Sequence, residues 1–191
     1  MDFLYKKHPK GTYEYASYKR IVDIIVTVIL FALALGLYVT GRVTTGSNRN
    51  LLTIVAVLGL LPACKMVVDV IMCFRVRICT TELKEKIDCY SDDLYGMYNL
   101  LFTSYDKNYS LDHVVITSDS IIGLSLDSKF SEKDFNTHIN DLLRKEGIKN
   151  TFIKIFNDDN KYLKRLEELK NNSSSNEPNI SIVSLIRNVT I

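Results

Sequence analysis

Hydrophobic and polar positions divide the chain into three unequal stretches. Residues 1–20 are polar and basic, residues 21–74 are overwhelmingly apolar, and residues 75–191 mix the two in short periods. The first apolar run, IVDIIVTVILFALALGLYVT over 21–40, spans about 30 Å as a helix, the thickness of a bilayer's hydrocarbon core. It predicts a transmembrane helix. The run over 51–74 is about as long, although Lys65 and Asp69 interrupt it and Pro62 lies inside. It is expected to span as well, with its C-terminal third at an interface or against protein. A buried hairpin in a soluble protein is the alternative, but a small remaining domain has too little surface to cover two helices apolar on every face. Ala32 and Ala34 offer an A-x-A cleavage pattern, yet the polar lead and the second span argue that both helices are retained.

Beyond residue 75 the periods change. From Thr81 to Tyr95 the apolar positions Leu83, Ile87, Tyr90 and Leu94 recur at helical spacing, and Gly96 marks the expected end. MYNLLFTS (97–104), SLDHVVIT (110–117) and SIIGLSLD (120–127) are short, β-branched or aromatic, and separated by turn residues, which predicts an antiparallel three-stranded meander. Ser131 is placed to cap a second helix with Asp134 answering it, and Phe135, Ile139, Leu142 and Leu143 form its apolar stripe up to Gly147. TFIKIF (151–156) reads as a strand. A third helix follows over about 158–170, with Leu163, Leu166 and Leu169 inward. NNSSSNEP is a polar linker, and ISIVSLIRNVTI is left open between an edge strand and a tail. The expected class is therefore α+β: a two-helix transmembrane hairpin, then a small αβββαβα domain over 75–170 with a mixed sheet, then a linker and tail over 171–191.

Charge decides the expected orientation. Lys6, Lys7, Lys10, Lys19 and Arg20 precede the first helix, and Arg75, Arg77, Lys84 and Lys86 follow the second. Only Arg42 and Arg49 lie between them. The positive-inside bias places both termini in the cytoplasm of a two-pass plasma-membrane protein, with Tyr13, Tyr15, Tyr18 and Tyr38 suited to the interfacial belts. Asp23 and Lys65 lie near the same boundary and are expected to pair, with Asp69 a second partner for Lys65, as an interfacial cluster rather than an ion path. Ala32/Gly36 and Gly59/Ala63 are small-residue pairs that permit close helix approach, within the hairpin or between protomers. Cys64, Cys73, Cys79 and Cys89 show neither a CxxC pair nor histidines at metal spacing, which excludes a zinc site and a disulfide framework. The Asn-x-Ser/Thr triplets at Asn108, Asn179 and Asn188 fall on the cytoplasmic side, where they are chance matches.

One segment carries candidate chemistry. LDHVVITSDSIIGLSLDSK, residues 111–129, resembles the nuclease-related domain of the PD-(D/E)XK superfamily, in which an I-D-H-containing strand turns into one ending E-x-K. The order helix, meander, helix, strand over 81–157 is similar to the superfamily's restriction-endonuclease-like core. The resemblance implies Asp112 as the first metal-binding carboxylate, Asp127 in the E-x-K acid position, and Lys129 as the lysine that positions the attacking water. Two carboxylates on adjacent strands suit a hard cation such as Mg²⁺. Glu82 or Glu85 would supply a helix-borne acid. In this sequence Asp replaces Glu, the spacing is two residues longer than expected, and Ser125 stands where the acid would fall with the usual turn. On the plain reading of the residues, Asp112 bonds the turn near Tyr109, DSKFSEKD is a solvated loop, and His113 is a packed or surface histidine.

The basic residues of 144–165 are offset by acids, so no nucleic-acid footprint emerges. There is no Walker loop, dinucleotide-binding glycine motif, nucleophile elbow or heptad array. The expectation is a membrane-tethered cytoplasmic module that binds a protein partner or its own copies, with a degenerate nuclease-related fold. The alternative is a Mg²⁺-dependent phosphodiesterase, a nuclease acting on nucleic acid at the membrane.

Overall fold

The computed structural model describes residues 8–47, 49–91, 94–104, 107–171 and 177–190. Lys6 and Lys7, most of the 171–178 linker and Asp106 of the first expected turn lie outside the described residues. The chain divides into two compact units.

The first unit, 17–74, holds nearly all of two long helices, α1 (Tyr15–Thr45) and α2 (Leu51–Arg75). Both are long and apolar enough to cross a membrane, and only 11% and 17% of their most apolar windows is buried. Their facing positions are small: Ala34, Ala56 and Ala63 are buried, and a side-chain carbon at Gly59 would meet that of Ala34 at 4.0 Å. The Gly59/Ala63 pair thus serves the hairpin, whereas Gly36 has open space around it. Asn50 starts α2 by accepting the Thr53 N–H at 2.8 Å. Near the other end, Asp23 is fully buried and meets Lys19 at 2.7 Å and the Cys73 thiol at 3.3 Å. The expected Asp23–Lys65 pair is not formed. Lys19, one helical turn before Asp23, reaches it along α1, and Lys65 is exposed.

The second unit joins residues 8–16 to 75–190. Its elements are α3 (Thr81–Ser91), β1 (Tyr95–Thr103), β2 (Asn108–Ile116), β3 (Ser120–Leu124), α4 (Glu132–Lys145), β4 (Phe152–Phe156), α5 (Asp159–Asn171) and α6 (Ile180–Val189). The strands lie in the order β1-β2-β3-β4, antiparallel through β3 and parallel between β3 and β4, so the expected α+β class and mixed sheet are observed. Helices cover both faces. Phe135, Ile139 and Leu143 of α4 with Ile182, Leu185 and Ile186 of α6 pack on one side. On the other, Leu83 and Ile87 of α3 meet Tyr162, Leu166 and Leu169 of α5. Burial on both faces explains the unbroken apolar runs over 114–116 at the end of β2 and 121–124 in β3, glycine included.

Three boundaries differ from expectation. α3 stops at Ser91 rather than near Gly96, because Tyr95 and Gly96 already pair with Ile116 and Val115 of β2. β3 ends at Leu124, short of Asp127: the Ser125 hydroxyl turns back to the Ser110 carbonyl at 2.8 Å, and the Ser125 N–H is taken by Phe156. The 180–189 segment is neither edge strand nor tail but a helix, capped by Asn179, whose Oδ1 accepts from Ser181 and Ile182. Ser131 caps α4 as its sequence suggested, accepting the Asp134 N–H.

Residues 8–14 are also more than a polar lead. The Gly11 carbonyl accepts the Tyr98 N–H at 2.8 Å, along the outer edge of β1. Gly11 has φ +91°, and a side chain there would meet Met97 at 2.6 Å, so only glycine lets this segment lie so close.

Candidate functional site

Of the residues singled out by sequence, Asp112 falls where β1 and β2 change phase. Met97↔Val114 and Leu100↔Leu111 are paired on the two strands, and all four side chains enter the α4/α6 core. Along each strand, the residues facing this core thus switch from odd-numbered to even-numbered across the intervening rung, after Met97 on β1 and after Leu111 on β2. Asn99 and Asp112 occupy that rung without pairing in the ladder. Asn99 has φ 55°, a left-handed conformation that asparagine tolerates. Two buried polar side chains at a broken rung demand partners, since an unmet buried polar group costs roughly 1–3 kcal/mol.

Residues flanking the long helices in sequence satisfy Asn99 and one oxygen of Asp112; the end of β3 supplies the other partner of Asp112. Asp112 Oδ2 accepts the Leu126 N–H at 2.8 Å, and Oδ1 meets Arg77 Nε at 3.3 Å. Burial holds the Asp112 carboxyl above the usual carboxylate range, against the opposing pull of the Leu126 N–H and of Arg77. Asn99 Oδ1 accepts the Cys79 N–H at 2.7 Å, and its Nδ2 donates to the Tyr13 carbonyl at 2.9 Å. The Ser110 hydroxyl accepts the Arg77 N–H at 3.1 Å.

Asp127 lies close enough to Asp112 for its charge to raise that carboxyl further, but Asp127 Oδ1 is occupied by the Lys129 N–H at 2.9 Å in a turn. Lys129 is exposed past the strand end. Glu82 and Glu85 are exposed on α3. Among the described residues, no three His, Cys, Asp or Glu side chains converge as a metal-ligand group. A Mg²⁺ centre wants several open carboxylate oxygens; both oxygens of Asp112 are engaged, and among the described residues no third acid joins Asp112 and Asp127. This donor set does not fit the cation that the nuclease resemblance implies.

His113 packs inward. It is fully buried, its Nδ1 lies 2.7 Å from the Tyr162 hydroxyl, and its ring stacks on Tyr98 with centroids 4.3 Å apart. Its Nε2 has no partner and abuts Gly96, where a side chain would come within 2.5 Å of it. Burial pushes the imidazole pKa down to about 3, so His113 stays neutral.

Sequence reasoning found Asp112 but missed Asn99, Ser110 and Arg77. The available signal was Asn99 itself, a residue depleted from strands yet set in the middle of one. No family model matches the chain, and neither a curated protein nor a solved structure matches it.

Proposed function

We propose that this chain is an integral membrane protein in which a two-helix anchor carries a cytoplasmic α+β domain that acts by binding a protein partner, rather than by catalysis. The observation that carries this reading is the long, continuous apolar surface of α1 and α2, with Ile21, Val28, Leu35 and Leu61 more than half exposed. Such a surface is stable in lipid and costly in water. The charge distribution supports an orientation with both flanks of the hairpin on the cytoplasmic side. The engaged state of Asp112 and the turn that holds Asp127 and Lys129 support binding over the Mg²⁺-dependent nuclease. The helix, meander, helix, strand order with its mixed sheet supports a nuclease-related ancestry for the fold.

Two measurements test the two halves of this proposal. Membranes carrying the full chain, washed in alkaline carbonate, should retain it in the pellet; release into the supernatant would reject the anchor. Calorimetry of the micellar protein with Mg²⁺ should show no sub-millimolar binding. Binding that disappears in Asp112→Ala and in Asp127→Ala would restore the nuclease reading.

A further inference from the structure

Two chain segments flank the hairpin: residues 8–14 run directly into α1, and residues 76–80 leave α2. They are 66 positions apart where Tyr13 meets Cys79, its hydroxyl donating to the Cys79 carbonyl at 2.9 Å. Between them lies the Asn99 side chain, 1% exposed, whose acceptor takes the Cys79 N–H and whose donors serve the Tyr13 carbonyl. The three groups close a ring: Asn99 to Tyr13, Tyr13 to Cys79, Cys79 back to Asn99. Ser110 and Asp112 hold the 76–80 segment a second time through Arg77.

We infer that Asn99 is a two-way clasp, through which the entry to α1 and the exit from α2 are locked to each other and to the β1–β2 rung, so that the two segments loosen or hold as one. Such a clasp would pass a displacement of either helix end to the sheet and to the other end. An amide is suited to this task. It offers an acceptor and donors on one short side chain, and asparagine is among the few residues at ease with a positive φ. The inference goes beyond the proposed anchoring and binding roles, because the ring of bonds lies wholly within the second unit and holds whether or not the helices lie in lipid.

The test is amide exchange read by mass spectrometry on the full chain in detergent micelles. Asn99→Gly keeps the positive φ and removes both side-chain bonds. Peptides covering 8–14 and 76–80 should then exchange about tenfold faster together, while β1 and β2 stay protected. Asn99→Asp keeps the acceptor but sets a carboxylate oxygen against the Tyr13 carbonyl, so 8–14 should loosen alone. Loosening of only one segment in Asn99→Gly, or of the strands to the same degree, overturns the clasp. Tyr13→Phe decides independently of Asn99: both segments exchanging about threefold faster supports it, and unchanged exchange over 76–80 rejects it.

Discussion

At the scale of single residues, two neighbours in sequence respond to pH in opposite directions. His113 has its folded-state pKa depressed from an ordinary value near 6.5 to about 3, so the unfolded chain takes up a proton that the folded chain refuses. Stability is therefore complete above pH 6.5 and is lost as pH falls towards 3, by up to roughly 4 kcal/mol. In the isolated effect, His113→Asn should shift the acid-unfolding midpoint of the full chain to lower pH; an unchanged midpoint would show that His113 already titrates in the folded state. Asp112 behaves inversely. Its folded-state pKa is raised, so the folded chain keeps a proton that the unfolded chain releases, and stability falls as pH rises from about 3.9 to the raised folded value. His113 opposes this term over the same window, so urea midpoints should rise more steeply with pH in Asp112→Asn than in the wild type; equal slopes would show that Asp112 titrates alike folded and unfolded. Gly96 adds a steric constraint from the same neighbourhood. Gly96→Ala should cost about 2 kcal/mol in denaturant unfolding by driving a methyl into the His113 ring.

At the scale of elements, most of the fold was legible because it is written locally. The stripe Phe135, Ile139, Leu143 and the Ser131 cap define α4 without reference to anything distant. The C-terminal segment was misread because ISIVSLIRNV is short and β-branched, which suits a strand. Its buried positions Ile182, Leu185 and Ile186 instead follow a helical period. If the Asn179 cap initiates α6, Asn179→Ala should lower unfolding free energy by about 1 kcal/mol. The end of β3 was obscured for a different reason: Ser125 is diverted by a carbonyl fifteen positions earlier, and no local pattern announces it. The candidate site was the least legible part. Asn99 finds its partners 20 and 86 positions away, and periodicity carries no information at that range.

At the scale of the whole molecule, the four cysteines report on burial and side together. Cys73 and Cys79 are buried, whereas Cys64 is exposed on the apolar surface of α2 and Cys89 on α3. With α2 in lipid and the domain in the cytoplasm, a charged, membrane-impermeant maleimide should label no cysteine in intact cells. After permeabilisation it should label Cys89, with labelling abolished in Cys89→Ser. Reaction of Cys89 in intact cells would reverse the topology, and ready reaction of Cys64 would place α2 in water.

The lysine at position 10 carries a consequence of another kind. Its ammonium donates to the carbonyls of Arg187 and Thr190, at 3.0 and 2.6 Å, closing the end of α6 from a point 177 and 180 residues earlier in the chain. A ribosome makes these partners 177 and 180 residues apart. The segment before the first helix is made long before the carbonyls it will hold, and the α4 face of the sheet lacks its second helix until residue 190 has emerged. This unit therefore completes its fold only after translation has passed that point, by which time both long helices have already left the ribosome.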